Sequence, residues 1–166
     1  MTEKEAQRVR ADTMRILDIL DREAIIPELE AKNKEEVLRE LSRALAELHS
    51  DIDQEEVLRI LLEREKLGST GLEDGIAIPH GKMESLNRIL AVFGRSVEGL
   101  DFESIDGSPT HLFFLLMAPE NSASANLKAL ARISRALKDE EFRGKLMGAA
   151  DGESIFRVIA DEDEKL

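Results

Sequence analysis

The chain has 166 residues, 42% hydrophobic and 35% charged, with three histidines, no cysteine and a formal net charge of −12. That length builds one domain with a real core and is short for two. The missing cysteines exclude disulfides, thiolate metal sites and a cysteine nucleophile. The acidic balance argues against nucleic acid or an anionic membrane as the main partner and favours a partner with a basic face. No apolar run approaches the ~20 residues of a bilayer span. The charged start Met1-Thr2-Glu3-Lys4-Glu5 lacks the apolar core of a signal peptide. The expectation is a soluble, cytoplasmic protein.

Residues 1–13 read as a polar N-terminal extension. Ile16, Leu17, Ile19 and Leu20 make a short apolar helical patch, and Ala24-Ile25-Ile26-Pro27 reads as an edge strand, because Pro27 has no N–H to give a ladder. Asn33 before Lys34-Glu35-Glu36 is a helix start signal, and Val37, Leu41, Ala44, Leu45 and Leu48 follow at helical spacing. Asp53 with Glu56 repeats the signal ahead of Val57, Leu58, Leu61 and Leu62, and this second helix ends near Leu67-Gly68. The period then changes. Ile76–Ile78 is a short strand candidate, while Ile89–Phe93 and Leu112–Met117 are apolar throughout, as strands buried on both faces are. Asp106-Gly107 marks a turn between them.

Helices return after Pro119. Asn121 or Ser122 caps one with Leu127, Leu130, Ala131, Ser134 and Leu137 on one face, Asp139 to Met147 is a short second, and Asp151 with Ser154 opens a last one through Ile155, Val158 and Ile159. Residues 161–166 read as a loose acidic tail. The expected fold is α/β (α+β): a single domain over 14–160, a mixed central sheet flanked by helices.

Chemistry concentrates in Gly75-Ile76-Ala77-Ile78-Pro79-His80-Gly81-Lys82. Histidine is the ordinary side chain available as a neutral nucleophile near pH 7. Pro79 fixes its own φ and pushes Ile78 into an extended conformation. Gly81 removes a side chain beside His80, so another molecule can approach the ring. Upstream, Gly68-Ser69-Thr70-Gly71 is a polar loop able to aim N–H groups at an anion, although it lacks the spacing of a P-loop. Arg64, shortly before it, carries the planar donor fork that suits phosphate; read alone, it is more readily a solvated helix arginine. His49, at a helix end, and His111, opening a strand, read as structural, and nothing in their spacing makes them converge on His80 as metal ligands.

Arg64-Glu65-Lys66-Leu67-Gly68-Ser69-Thr70-Gly71 followed by Gly75–Lys82 resembles the phosphorylation site of the enzyme IIA domains of the bacterial phosphotransferase system, of fructose/mannitol type and especially their nitrogen-regulatory branch. The resemblance runs from about Ile16 to Ile159 and includes Phe102–Asp106 and Met117-Ala118-Pro119. It implies that His80 carries phosphate on Nε2, received from the phosphohistidine of HPr, which enzyme I charges from phosphoenolpyruvate. It implies that Arg64 balances phosphate charge and that Ser69 and Thr70 shape the pocket, with no cofactor and no metal. An apolar rim including Ile78 and Met83 would suit docking of HPr.

One position departs from the family pattern. Its second histidine, at the start of the helix after the Ala-Pro turn, corresponds to Asn126 in Ala125-Asn126-Leu127-Lys128. Asparagine can bond a phosphate oxygen but cannot carry imidazolium charge. Three functions follow from the resemblance: a carrier whose phosphorylation state regulates target proteins, a sugar-specific IIA that passes phosphate to a separate IIB, and an interaction module with impaired phosphorylation.

Overall fold

The structure, a computed structural model, describes Thr2 and residues 14–166. Apart from Thr2, the polar extension lies outside the described residues. Ile16–Asp18 and Arg22–Ala24 are 3-10 turns, and β1 (Ile25–Ile26) follows. Next come α1 (Lys34–Leu48), α2 (Gln54–Lys66), β2 (Ile76–Ala77), β3 (His80–Met83), β4 (Leu90–Leu100) and β5 (Thr110–Pro119). The chain closes with α3 (Ala123–Lys138), α4 (Glu140–Gly148) and α5 (Gly152–Lys165).

Local chemistry explains the helix starts. Asn33 Oδ1 accepts the Glu36 N–H at 2.9 Å, and the Glu36 carboxylate accepts the N–H of Lys32 at 2.8 Å. Asp53, Asp139 and Asp151 cap α2, α4 and α5 in the same way, through Glu55, Glu141 and Ser154. Each carboxylate satisfies an N–H that the first turn cannot pair and complements the helix dipole. Ser122 stands at the N-cap of α3, but its hydroxyl donates to Pro119 O at 2.7 Å rather than capping.

The sheet is mixed, as expected. Its order is β1-β4-β5-β2, with β3 also on β5. β4 and β5 are antiparallel, and β1, β2 and β3 each run parallel to their partner. The expected single strand over Ile76–Ile78 is instead the first of two segments along one edge of β5. Ile76 pairs with Leu112 and His80 with Leu116, so the register is unchanged across the gap. Pro79 is the cause: it has no N–H to donate, while its carbonyl still accepts from Leu116 N at 2.9 Å. His80 therefore opens a strand of its own rather than following one.

β4 runs seven residues past Phe93, to Leu100, with its pairing shifted between Arg95 and Leu100. Its apolar start and the whole apolar run of β5 are buried. Phe93 packs edge-on to Phe114, and Phe102 edge-on to Phe113, both with centroids 5.4 Å apart. α1 packs on α2 and β4, α2 on β3, and α5 on α4, β1 and the first 3-10 turn.

Two helical expectations change. α3 buries Asn126, Ala129, Ile133, Ala136 and Leu137, leaving Leu127 and Ala131 exposed. Leu127 and Ala131 satisfy helical spacing as well as Ala129 and Ile133 do, so periodicity alone does not fix which stripe faces inward. The acidic tail is not loose. α5 continues through it to Lys165, and Asp163 is buried.

Candidate functional site

Residues 70–78 fold back on themselves. Leu72 N–H donates to Ile76 O at 2.8 Å, and Ile78 N–H to Thr70 O at 3.1 Å. Gly71 bridges Ala77 in antiparallel fashion. The Gly68–Gly71 loop is thereby fixed against the strand that leads into His80. Gly71 is closely packed: a Cβ there would lie 3.0 Å from the Ser104 backbone and 3.2 Å from the buried Phe102 ring, so a side chain would have to displace its neighbours. Behind this loop, Asp106 has its carboxyl lowered to about 2 by hydrogen bonds from Ser108 first, then from the Asp74 N–H.

The His80 ring is half-buried, and its Nδ1 lies 2.7 Å from Ile78 O. A carbonyl only accepts, so Nδ1 bears the proton. The neutral ring then keeps its lone pair on Nε2. Pro79 makes this possible by holding Ile78 extended, with its carbonyl turned to the ring two residues on. The orientation of the nucleophile is thus set by main chain.

Gly81 also has a packing role. A Cβ at that position would fall 2.5 Å from Ile60 Cγ2. The missing side chain lets α2 close on β3, with Ile60 occupying the space a Gly81 Cβ would take, on the face of the strand opposite to the His80 side chain.

Arg64 lies in the last turn of α2, and its Nη1 donates to Gly68 O at 2.9 Å. That bond uses one of its five N–H donors. Ser69 Oγ donates to Phe102 O at 2.9 Å and accepts from Gly71 N. Thr70 Oγ1 donates to the Glu65 carboxylate, whose other oxygen accepts the Thr70 N–H at 3.0 Å. Both hydroxyl protons are therefore given to this chain's own acceptors. Asn126 sits in the first turn of α3, 7% exposed, and its Oδ1 has no hydrogen-bond partner. A buried amide oxygen left bare is costly; as an acceptor it calls for a donor, so a phosphate oxygen would be met by the amide N–H2 instead.

The structure thus ties Ser69, Thr70 and His80 into one hydrogen-bonded unit and places Arg64 on the loop's leading edge. Asn126 belongs to another element, entered from the β5 end that lies beside β3. Glu65 was not separable by sequence from the solvated charges around it, yet it holds Thr70. Phe102 was visible only as part of the resemblance, and its backbone is what Ser69 grips.

The expected rim of Ile78 and Met83 is corrected: they are 5% and 1% exposed, Ile78 in the break between β2 and β3 and Met83 at the end of β3, both buried in the core. The large apolar side chains that do face solvent include Leu67, next to the Gly68 loop, and Leu127, next to Asn126. They are 84% and 67% exposed. A cavity of about 380 Å3 is lined by residues such as Leu72, Ile76, Ile105 and Lys138 and does not include His80. His49 caps the end of α1 through its N–H to Leu45 O. His111 gives its Nδ1 to Ser96 O at 3.0 Å and packs under Gly99, whose φ of +81° only glycine takes readily. Among the described residues no cluster of three His, Asp or Glu side chains is arranged to hold a metal. Nor, among them, is any helix long and apolar enough to cross a membrane.

The chain is similar to known proteins in sequence and in fold. Residues 18–162 match the family described as phosphoenolpyruvate-dependent sugar phosphotransferase system, EIIA 2. A nitrogen regulatory protein of Bradyrhizobium diazoefficiens is 44% identical over 147 residues, covering 89% of this chain and 95% of that protein. A fructose-specific EIIABC component of Bacillus subtilis is 37% identical over 91% of this chain, which spans only 24% of that longer protein. Among solved structures, nitrogen regulatory protein IIA-Ntr from Neisseria meningitidis superposes with a TM-score of 0.81 at 32% identity, covering 87% of this chain and 98% of that one.

Proposed function

The chain belongs to the EIIA 2 family of the phosphoenolpyruvate-dependent sugar phosphotransferase system, and from that premise we propose that it is a cytoplasmic phosphoryl carrier that accepts phosphate on His80 Nε2 from the phosphohistidine of an HPr-type protein. The observation that carries this reading is the 2.7 Å contact between His80 Nδ1 and Ile78 O, which leaves Nε2 as the free nucleophile. In the transfer, the Nε2 lone pair forms a bond to phosphorus while the donor's N–P bond breaks, its electron pair returning to the donor imidazole. Nδ1 keeps its proton throughout, and Ile78 O stabilises the positive charge the ring then carries. A preorganised carbonyl of this kind costs no rearrangement at the moment of transfer.

Arg64, with four donors left, and the Asn126 side chain are the phosphate ligands in this reading. Ser69 and Thr70 contribute by the shape of the loop, since their protons are committed elsewhere. Leu67 and Leu127 form the apolar rim for the donor, and the acidic surface favours a partner with a basic face. Phosphate on this surface adds charge and strong acceptors, enough to make or break contact with a target protein. Nitrogen or metabolic regulation is the favoured output because of the similarity to nitrogen regulatory proteins over nearly their full length. The similarity to a fructose-specific component keeps transfer to a separate IIB protein as the second reading.

The test is phosphate incorporation by intact-protein mass spectrometry with enzyme I, HPr and phosphoenolpyruvate. Acid-labile phosphate on the wild type and none on His80→Ala supports the carrier. No phosphate on the wild type from a donor shown to be active overturns it. Onward transfer to a IIB protein would select the second reading. Asn126→His is expected to lengthen the life of the phosphorylated form, because an imidazolium adds a charged donor that an amide lacks. Equal decay rates in the two proteins would contradict a phosphate contact at this position.

A further inference from the structure

We infer that Glu65 is a positioning residue for His80, acting through Thr70 and Ile78. The inference rests on the carrier reading for its consequence, and on hydrogen-bond geometry for its existence. The Glu65 side chain is 6% exposed, in the last turn of α2. Both of its oxygens are used: Oε1 accepts the Thr70 N–H at 3.0 Å and faces Lys34 Nζ at 2.9 Å, and Oε2 accepts the Thr70 hydroxyl. Thr70 is itself buried, and its carbonyl accepts the Ile78 N–H at 3.1 Å. Ile78 in turn accepts His80 Nδ1–H.

The links form one directed series. His80 donates to Ile78, Ile78 to Thr70, Thr70 to Glu65, and Lys34 adds its charge at the far end. Lys34 is fixed in turn, 3.2 Å from Glu103 and 4.8 Å above the centroid of the Phe102 ring. Such charge-assisted bonds in a dry setting are short and stiff. Arg64 and Glu65 together grip both ends of the loop, at Gly68 O and at Thr70. The last turn of α2 therefore determines where the main chain around Ile78 stands, and with it the ring. Positional error of about 1 Å in a reacting group can cost on the order of a hundredfold in rate.

The experiment compares the full chain with Glu65→Gln and Thr70→Val in two readouts. The first is the His80 ring in long-range 1H–15N spectra of the unphosphorylated protein. The second is the rate of phosphate uptake from phosphorylated HPr over a range of donor concentrations. Glu65→Gln is expected to turn a single Nδ1–H tautomer into a mixture and to lower the maximal uptake rate about tenfold, with KM for the donor within about twofold. Thr70→Val should do the same, and the double variant should lose no more than the worse single one, because all three act through one series. An unchanged tautomer and unchanged rate in both folded variants, with only thermal stability lowered, would overturn the inference. Should the wild type take up no phosphate, the carrier reading fails while the tautomer still decides the role of Glu65.

Discussion

Asp163→Ala is expected to lower the unfolding free energy by about 4 kcal/mol, the range found when one partner of a buried charged network is removed. Asp163 lies in the last helix, and its carboxylate accepts Ile16 N–H at 2.8 Å and Leu17 N–H at 3.0 Å. It therefore caps, from the far end of the chain, the first 3-10 turn described. It also pairs with Arg132 of α3 at 3.3 Å, and Arg132 bonds its carbonyl at 3.0 Å. Alanine would strand two N–H groups and leave a guanidinium without its carboxylate. Asparagine has one acceptor oxygen, so Asp163→Asn should fall between the two. Urea unfolding of the three proteins checks this, and a change under about 1 kcal/mol for alanine would show that water readily replaces the carboxylate.

Arg95→Met is the second large effect, expected at about 3 kcal/mol. Arg95 is buried in β4, and its guanidinium donates to Pro27 O at 2.9 Å, Leu146 O at 2.8 Å and Ala149 O at 2.7 Å. The last two belong to the end of α4, where carbonyls have no helical partner. Arg95 thus closes α4 onto the edge beyond β1. Methionine preserves volume but satisfies none of the three carbonyls, each costing about 1–3 kcal/mol when buried bare, and this is offset in part by no longer burying a charge. Arg95→Lys should recover little, because a single ammonium lacks the fork that spans both groups. Stability equal to wild type would mean that water enters and replaces the guanidinium.

Asp163 and Arg95 also show which features a sequence leaves illegible. Caps at Asn33, Asp53 and Asp151 were legible because donor and acceptor lie within three residues. Asp163 was not, because its partners Ile16 and Leu17 lie 147 and 146 residues away in the chain. The apolar half of β4 was legible, but its continuation through Arg95, Ser96 and Glu98 carries no strand pattern and is anchored on β5 by the pairing of Arg95 and Leu100 on either side. The break at Ile78-Pro79 was visible as a constraint, yet only the sheet shows that the ladder resumes in register at His80. In the site, His80 and its proline stood out because few other roles need that order of residues. Glu65 did not, since one glutamate in a run of charges looks solvated until Thr70 folds onto it. Asn126 was located as a departure from the family pattern; that its amide oxygen is buried and unpartnered follows from the phase of α3.

The central claim is that main chain at Ile78 leaves Nε2 of His80 as the phosphate acceptor. It is tested most directly by 15N-edited spectra of the phosphorylated protein, prepared with ring-labelled histidine. Phosphorus coupled to Nε2 of His80, with the proton still on Nδ1, is the expected result. Phosphate on Nδ1, or on His49 or His111, would contradict it.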